Sequence, residues 1–241
     1  MRILIANVNT TEAMTDAIAE AARAAGSPGT EIIGLTPDFG AESCEGNFES
    51  YLAAIAVMDK VVRYEGEYDA VIQAGYGEHG REGLQELLTV PVVDITEAAA
   101  STAMFLGRSY SVVTTLDRTV PLIEDRLILG GLHDRCASVR SSGMSVLELE
   151  SDPERAVEAI AAEAQKAVEI DRAEVIVLGC GGMAELKDRV VELCGVPVVD
   201  GVQAAVAVAE GLVNLGLSTS KVRTYAQPRP KRITGFPATA R

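Results

Sequence analysis

The 241-residue sequence contains no tryptophan, only 4% aromatic residues, two histidines and four cysteines. Cys44, Cys136, Cys180 and Cys194 form no CxxC pair, and two histidines add little, so no metal site is expected. The same spacing offers no disulfide framework, which points to a reducing compartment, the cytoplasm. Basic residues are outnumbered, with Lys+Arg 21 against Asp+Glu 35 and a formal net charge of -14. That balance argues against nucleic acid or an anionic membrane as a partner, while a small anionic ligand at a locally positive site stays open. No apolar run reaches membrane-spanning length, and Met1-Arg-Ile-Leu-Ile begins a strand rather than a signal peptide.

What is present is a hydrophobic fraction of 48%, enough for a sizeable core, arranged as short apolar runs alternating with helical patterns. A strand over 2–6 leads through Asn7-Val-Asn-Thr-Thr11 into a helix over 12–25; a second strand covers 30–35. Residues 36–46, rich in Pro, Gly and acids, form a connection long enough for a lid or binding loop as well as for ordinary surface chain. Cys44 lies in it, and nothing in the sequence carries it to a site. Helices over 48–64, 95–106, 120–130, 155–170 and 202–215 and strands over 69–74, 91–93, 110–113, 137–140 and 197–199 complete the pattern, with Asp152-Pro153 as a helix start.

The stretch Val175-Ile-Val-Leu-Gly-Cys-Gly-Gly-Met183 reads as a buried parallel strand, a tight turn and a helix start over 184–193. A thiol at such a junction meets exposed N–H groups and the positive end of a helix, which favour the thiolate. A small buried cysteine filling a core gap is the plainer alternative.

Val90-Pro-Val-Val-Asp94 recurs as Val196-Pro-Val-Val-Asp200, and each copy follows a strand and a glycine-rich turn. The repeat predicts an α/β protein of two pseudo-symmetric lobes, each a parallel-sheet sandwich, with a site in the cleft where the strand ends face each other. The lobes are expected over 1–106 and 107–220, with the helix over 202–217 packing back on the first lobe, followed by a basic tail over 221–241. That tail has six basic residues and no acids, and either lies on the acidic body or is solvated. Gly75-Tyr-Gly-Glu-His-Gly80 fits G-x-G-x-x-G, but its place in mid-chain and the recurrence of the Asp in a half without that glycine pattern favour chance over dinucleotide binding.

With the repeat and Cys180 in hand, the chain resembles the aspartate/glutamate racemase superfamily, most of all its hydantoin and allantoin racemases. The likeness rests on Asn7-Val-Asn-Thr-Thr11, Val113-Thr-Thr-Leu-Asp-Arg-Thr-Val-Pro121, Val177-Leu-Gly-Cys-Gly-Gly-Met183 and Val196-Pro-Val-Val-Asp200. The resemblance implies a cofactor-independent racemase or epimerase, a homo-oligomer, and a small-molecule substrate whose acidic C–H is flanked by carbonyl groups. It also implies two cysteines working on opposite faces of that carbon through an enolate. Cys180 matches the second; the first falls on Gly75, or on Tyr76 if the internal repeat sets the register. Asn9, Thr114 and Thr115 match substrate-side positions. Gly181 and Gly182 would form the anion pocket, and Tyr76 and Gly77 the opposite wall. With no thiol at residue 75, three readings stay open. Tyr76, Glu78 or His79 could supply the second acid/base; a single cysteine could serve a decarboxylase or isomerase of the arylmalonate decarboxylase type; or the protein could be a non-catalytic binder.

Overall fold

The computed structural model describes residues 1–234. The first half runs β1 (Arg2–Ala6), α1 (Glu12–Ala25), β2 (Glu31–Leu35), α2 (Asn47–Val62), β3 (Ala70–Gln73), α3 (Arg81–Leu87), β4 (Val92–Asp94) and α4 (Ile95–Leu106). The second runs β5 (Tyr110–Thr114), α5 (Val120–Leu129), β6 (Cys136–Ser141), α6 (Val146–Ser151), α7 (Pro153–Glu169), β7 (Val175–Leu178), α8 (Lys187–Cys194), β8 (Val198–Asp200) and α9 (Gly201–Asn214). Each half builds one four-stranded parallel sheet, in the orders β2-β1-β3-β4 and β6-β5-β7-β8. The two orders are the same once the second set is renumbered, so the repeated pentapeptide marks a repeated α/β unit.

Strand periodicity sets the layers. In β1, Leu4 and Ala6 pack with Ala53, Val57 and Val61 of α2 on one face of the sheet. Ile3 and Ile5 face the other way, into a cluster with Ile18 of α1, Ala99 of α4 and Val206 of α9. That same cluster contains Tyr110, Val112, Val175 and Val177 of the second sheet, so one apolar layer of helices serves both sheets. The far face of the second sheet, through Val113, Ile176 and Leu178, packs on Val157, Ile160 and Ala164 of α7. α9 is also tied to the first half by Glu210, whose carboxylate accepts from Ser27 N–H at 2.8 Å and Thr30 Oγ1 at 2.5 Å.

The short α6, an element not expected from the periodicity, carries a capping box between Ser145 and Glu148. After α9, Thr219 N–H donates to Thr89 O at 2.8 Å, and Lys221 Nζ caps α3 through Gln85 O and Glu86 O. Residues 227–234 are exposed, and the remainder of the basic tail lies outside the described residues. Among the described residues no helix is long and apolar enough to cross a membrane.

The two repeated aspartates play the same capping part under different electrostatics. Asp94 accepts from Glu97 N–H and Asp200 from Gln203 N–H, each at the start of the following helix. Asp94 also meets Arg126 of α5 at 2.7 Å and Arg81 at 3.2 Å, and Arg126 reaches Glu82 at 2.6 Å. Arg126, 4% exposed, thereby joins the second half to the first. Asp200 Oδ2 is buried without a hydrogen-bond partner, and burial pushes its carboxyl up to about 6 against the pull of the Gln203 amide and Lys187.

Two outcomes follow. Arg126→Met keeps much of the stem but strands Asp94 with Arg81 alone; a loss toward the lower end of about 3–5 kcal/mol is expected in urea unfolding. Asp200 has its folded pKa raised above the unfolded value of roughly 3.9, so its charge opposes folding above about pH 6 and ceases to do so as pH falls to about 4. Asp200→Asn, which keeps the cap, should therefore flatten the stability profile between those pH values and be the more stable form at pH 8, by on the order of 3 kcal/mol at most.

Candidate functional site

In each sheet the strand order reverses between its first and third strands, and the connections leaving their carboxyl ends part to form a crevice. β1 ends in Asn7, Val8 and Asn9, and β3 in Ala74, Gly75 and Tyr76. β5 ends in Thr114 and Thr115, and β7 in Gly179, Cys180, Gly181 and Gly182. All four segments line one cavity of about 50 Å3. The two β3 and β7 turns touch: a Cβ on Gly181 would stand 3.0 Å from Ala74 O, which explains the glycine there.

Cys180 is half-buried in extended backbone (φ -156, ψ 138) and begins a 3-10 turn over Gly181–Leu186, its carbonyl accepting from Met183 N–H at 3.1 Å. The single helix expected over 184–193 is thus split into a 3-10 turn and α8. A glycine pair at the start has poor helix propensity, and a tight turn follows. On the β1 side, Asn7 and Asn9 organise the turn. Asn7 Nδ2 donates to Asn9 Oδ1 at 2.9 Å and Thr15 Oγ1 at 3.0 Å, and Asn9 Oδ1 accepts from Thr11 N–H at 3.0 Å. Asn9 Nδ2 donates to the soft acceptor Met14 Sδ at 2.9 Å. Thr114 Oγ1 donates to Gly179 O at 3.2 Å, binding the β5 and β7 ends together.

His79 lines the cavity, is 4% exposed, and has no hydrogen-bond partner at Nδ1. Burial lowers its pKa to about 4, against the raising influence of the Tyr76 backbone and Asp94, so the imidazole is neutral near pH 7. Tyr76 Oη is likewise buried and unpartnered, and burial holds its phenol protonated. Gly75 has its side-chain direction filled: a Cβ there would collide with His79 Cδ2, stand 2.5 Å from Val8 Cγ1 and 2.8 Å from Gln73 Nε2.

Gly77 differs from its expected place. Its N–H is taken by Thr96 Oγ1 at 2.9 Å, and it lines an adjoining cavity of about 220 Å3 rather than that of Cys180. Glu78 is in that outer cavity too, its carboxyl pushed up to about 7 by burial and by the neighbouring Glu82. Cys44, Tyr76, His79 and Thr119 border both cavities. No local pattern leads Cys44 to the site; the 36–46 loop folds over the β1 turn through Thr10 N–H to Ala41 O at 2.9 Å and Thr11 Oγ1 to Glu42 O at 2.8 Å, and so delivers it. Asn7, Val8, Thr119 and Val146 also join the site; the first two are neighbours of Asn9 in sequence, whereas Val146 comes from α6, which the periodicity does not announce. Among the described residues, no group of three or more His, Cys, Asp or Glu is placed to hold a metal ion.

Comparison with known proteins agrees with this architecture. The family model Asp/Glu/Hydantoin racemase matches residues 3–209. A hydantoin racemase of Pseudomonas sp. (strain NS671) is 40% identical over 98% of this chain and 95% of its own. The crystal structure of an allantoin racemase from Pseudomonas fluorescens is 74% identical, covers 98% of this chain and 100% of that one, and superposes with a TM-score of 0.96. Arylmalonate decarboxylase, at 19% identity, 93% and 97% coverage and a TM-score of 0.62, shares the fold. With its racemase relatives and its doubled α/β unit, the chain belongs to the Asp/Glu/hydantoin racemase family and is an isomerase of the racemase type.

Proposed function

We propose that the protein racemises allantoin, or a closely related 5-substituted hydantoin, without a cofactor and with Cys180 as one acid/base. The observation that carries this reading is Cys180 at the meeting of four strand ends, in a chain 74% identical to an allantoin racemase. The lining supports a neutral ring over an amino acid or a malonate, since it includes no Lys, Arg, Asp or Glu to neutralise a charged substrate. It offers amide, hydroxyl and backbone groups of the kind that pair with the alternating N–H and C=O of a ureide.

The C5–H of such a ring is acidified by the adjacent carbonyl. The Cys180 thiolate takes that proton, and the electron pair passes into the ring as an enolate. The first amides of a helical turn have no partner within it, so the N–H groups of Gly181 and Gly182 are suited to hold the developing oxyanion. His79, neutral at working pH, serves as a hydrogen-bonding group to the ring. Thiols titrate close enough to neutrality for one residue to act as base toward one enantiomer and acid toward the other.

Proton NMR in D2O with a single enantiomer of allantoin, followed in parallel by optical rotation, tests the reading. Wild type should lose the C5–H signal and the rotation together, and Cys180→Ala should lower the rate by about 10²–10⁴-fold. Carbon dioxide release from an arylmalonate, with allantoin untouched, would replace racemisation with a decarboxylase reading. The crowding at Gly75 makes a separate prediction. Gly75→Cys should lower the melting temperature through overpacking worth about 1–3 kcal/mol, and Val8→Ala in the same chain should restore much of it; an unshifted melt for Gly75→Cys would contradict the crowding.

A further inference from the structure

We propose that Cys44, carried on the loop between β2 and α2, is the second acid/base of this site, facing Cys180 from the other half of the molecule and standing in for a thiol at residue 75. This rests on the racemase reading above. Four observations lead to it.

Of the four cysteines, Cys44 and Cys180 line the same cavity. The Cys44 thiol donates to Val8 O at 3.2 Å, and Val8 is the residue whose side chain fills the space in front of Gly75. The sulfur is therefore beside the wall from which a side chain at residue 75 would project. The loop is also pinned on both sides of Cys44. Ala41 and Glu42 are bonded to the β1 turn, and Glu45 Oε1 accepts from Val146 N–H, across the cleft at the start of α6, at 2.9 Å. Finally, buried His79, whose Nδ1 has no hydrogen-bond partner, lines the same cavity.

Electrostatics suits a division of labour. Burial, then Glu49, then the charge at Cys180 push the Cys44 thiol up to about 12, so it holds its proton at neutral pH and two simultaneous thiolates are disfavoured. In one direction the C5–H bond breaks, its proton bonds to Cys180 sulfur, and the electron pair enters the ring. The Cys44 S–H bond then breaks, its proton bonds to C5 on the opposite face, and Cys44 is left as thiolate. That state is the one that accepts the other enantiomer, with the roles exchanged, so the pair resets without any further reactant.

Cys44→Ala and Cys44→Ser, each checked for an unchanged melting temperature, separate chemistry from architecture. Racemisation should fall by about 10²–10⁴-fold, while Cys180 still exchanges C5–H for deuterium in one enantiomer with configuration retained. The exchange should vanish in Cys44→Ala/Cys180→Ala. Racemisation within a few-fold of wild type, or loss of exchange for both enantiomers in the folded single variants, would overturn the proposal. A substrate-independent arm uses 1,3-dibromoacetone on wild type followed by peptide mass mapping. A bridge between Cys44 and Cys180 supports the pair, and separate alkylation of the two thiols overturns it. Bridging in a protein inert toward allantoin would sink the substrate reading while still supporting the thiol pair.

Discussion

One helical layer shared by two parallel sheets is the constraint on which the rest of this molecule depends. Ile3 and Ile5 of the first sheet and Val175 and Val177 of the second bury their side chains in the same cluster, with residues of α1, α4 and α9 between them. Two sheets that share one core cannot slide freely past each other. Their carboxyl ends are held at a fixed separation, and the turns leaving them meet closely enough that Gly181 cannot carry a Cβ without pressing on Ala74 O. The site follows from this arrangement: four strand ends, none of which contributes a charged side chain to the lining, enclose a space whose polarity comes from amides, hydroxyls, thiols and a neutral imidazole.

Charge is placed around the site instead. Arg126 gathers Asp94, Glu82 and Glu78 beside the outer cavity, Arg81 pairs with Asp94 and Glu82 as well, and burial together with the neighbouring Glu82 pushes Glu78 toward neutrality. The second copy of the pentapeptide has no such arginine. Asp200 keeps the cap and bears the desolvation. Identical residues at equivalent places in a repeated unit thus differ in charge economy because their surroundings come from different parts of the chain.

Much of the fold was legible in the sequence for local reasons. α1 and α4 run over the residues that helical periodicity marked, each closed by a glycine, Gly26 and Gly107. The repeated Val-Pro-Val-Val-Asp disclosed the doubled sheet, and the Leu-Gly-Cys-Gly-Gly turn disclosed one wall of the cavity. The family resemblance, stated from Asn7–Thr11 and the other segments, is the family that the comparisons show. What stayed hidden depended on distance. Nothing around Cys44 announces that a loop will fold it against Val8. The contrast between Asp94 and Asp200 needs Arg126, which is remote from both in sequence. Gly77 fits a motif by spelling, yet its amide is spent on Thr96. The glycine pair after Cys180 signalled a turn, but its 3-10 form reflects a balance of propensity and packing too fine for pattern alone.

The link from Glu45 to the Val146 amide has a consequence for traffic. The inner cavity, at about 50 Å3, is far below the roughly 300 Å3 at which ordinary ligand pockets begin. The ring substrate proposed above would therefore enter only if something at the border gave way. One border segment is the loop carrying Cys44, held to the opposite half by Glu45 and lying against Arg118 at Gly46. Parting that loop would widen the chamber and withdraw the Cys44 thiol at the same moment. Border and lining are one piece of chain, so in the proposed reaction the two thiols would face each other only while the loop stays in this place.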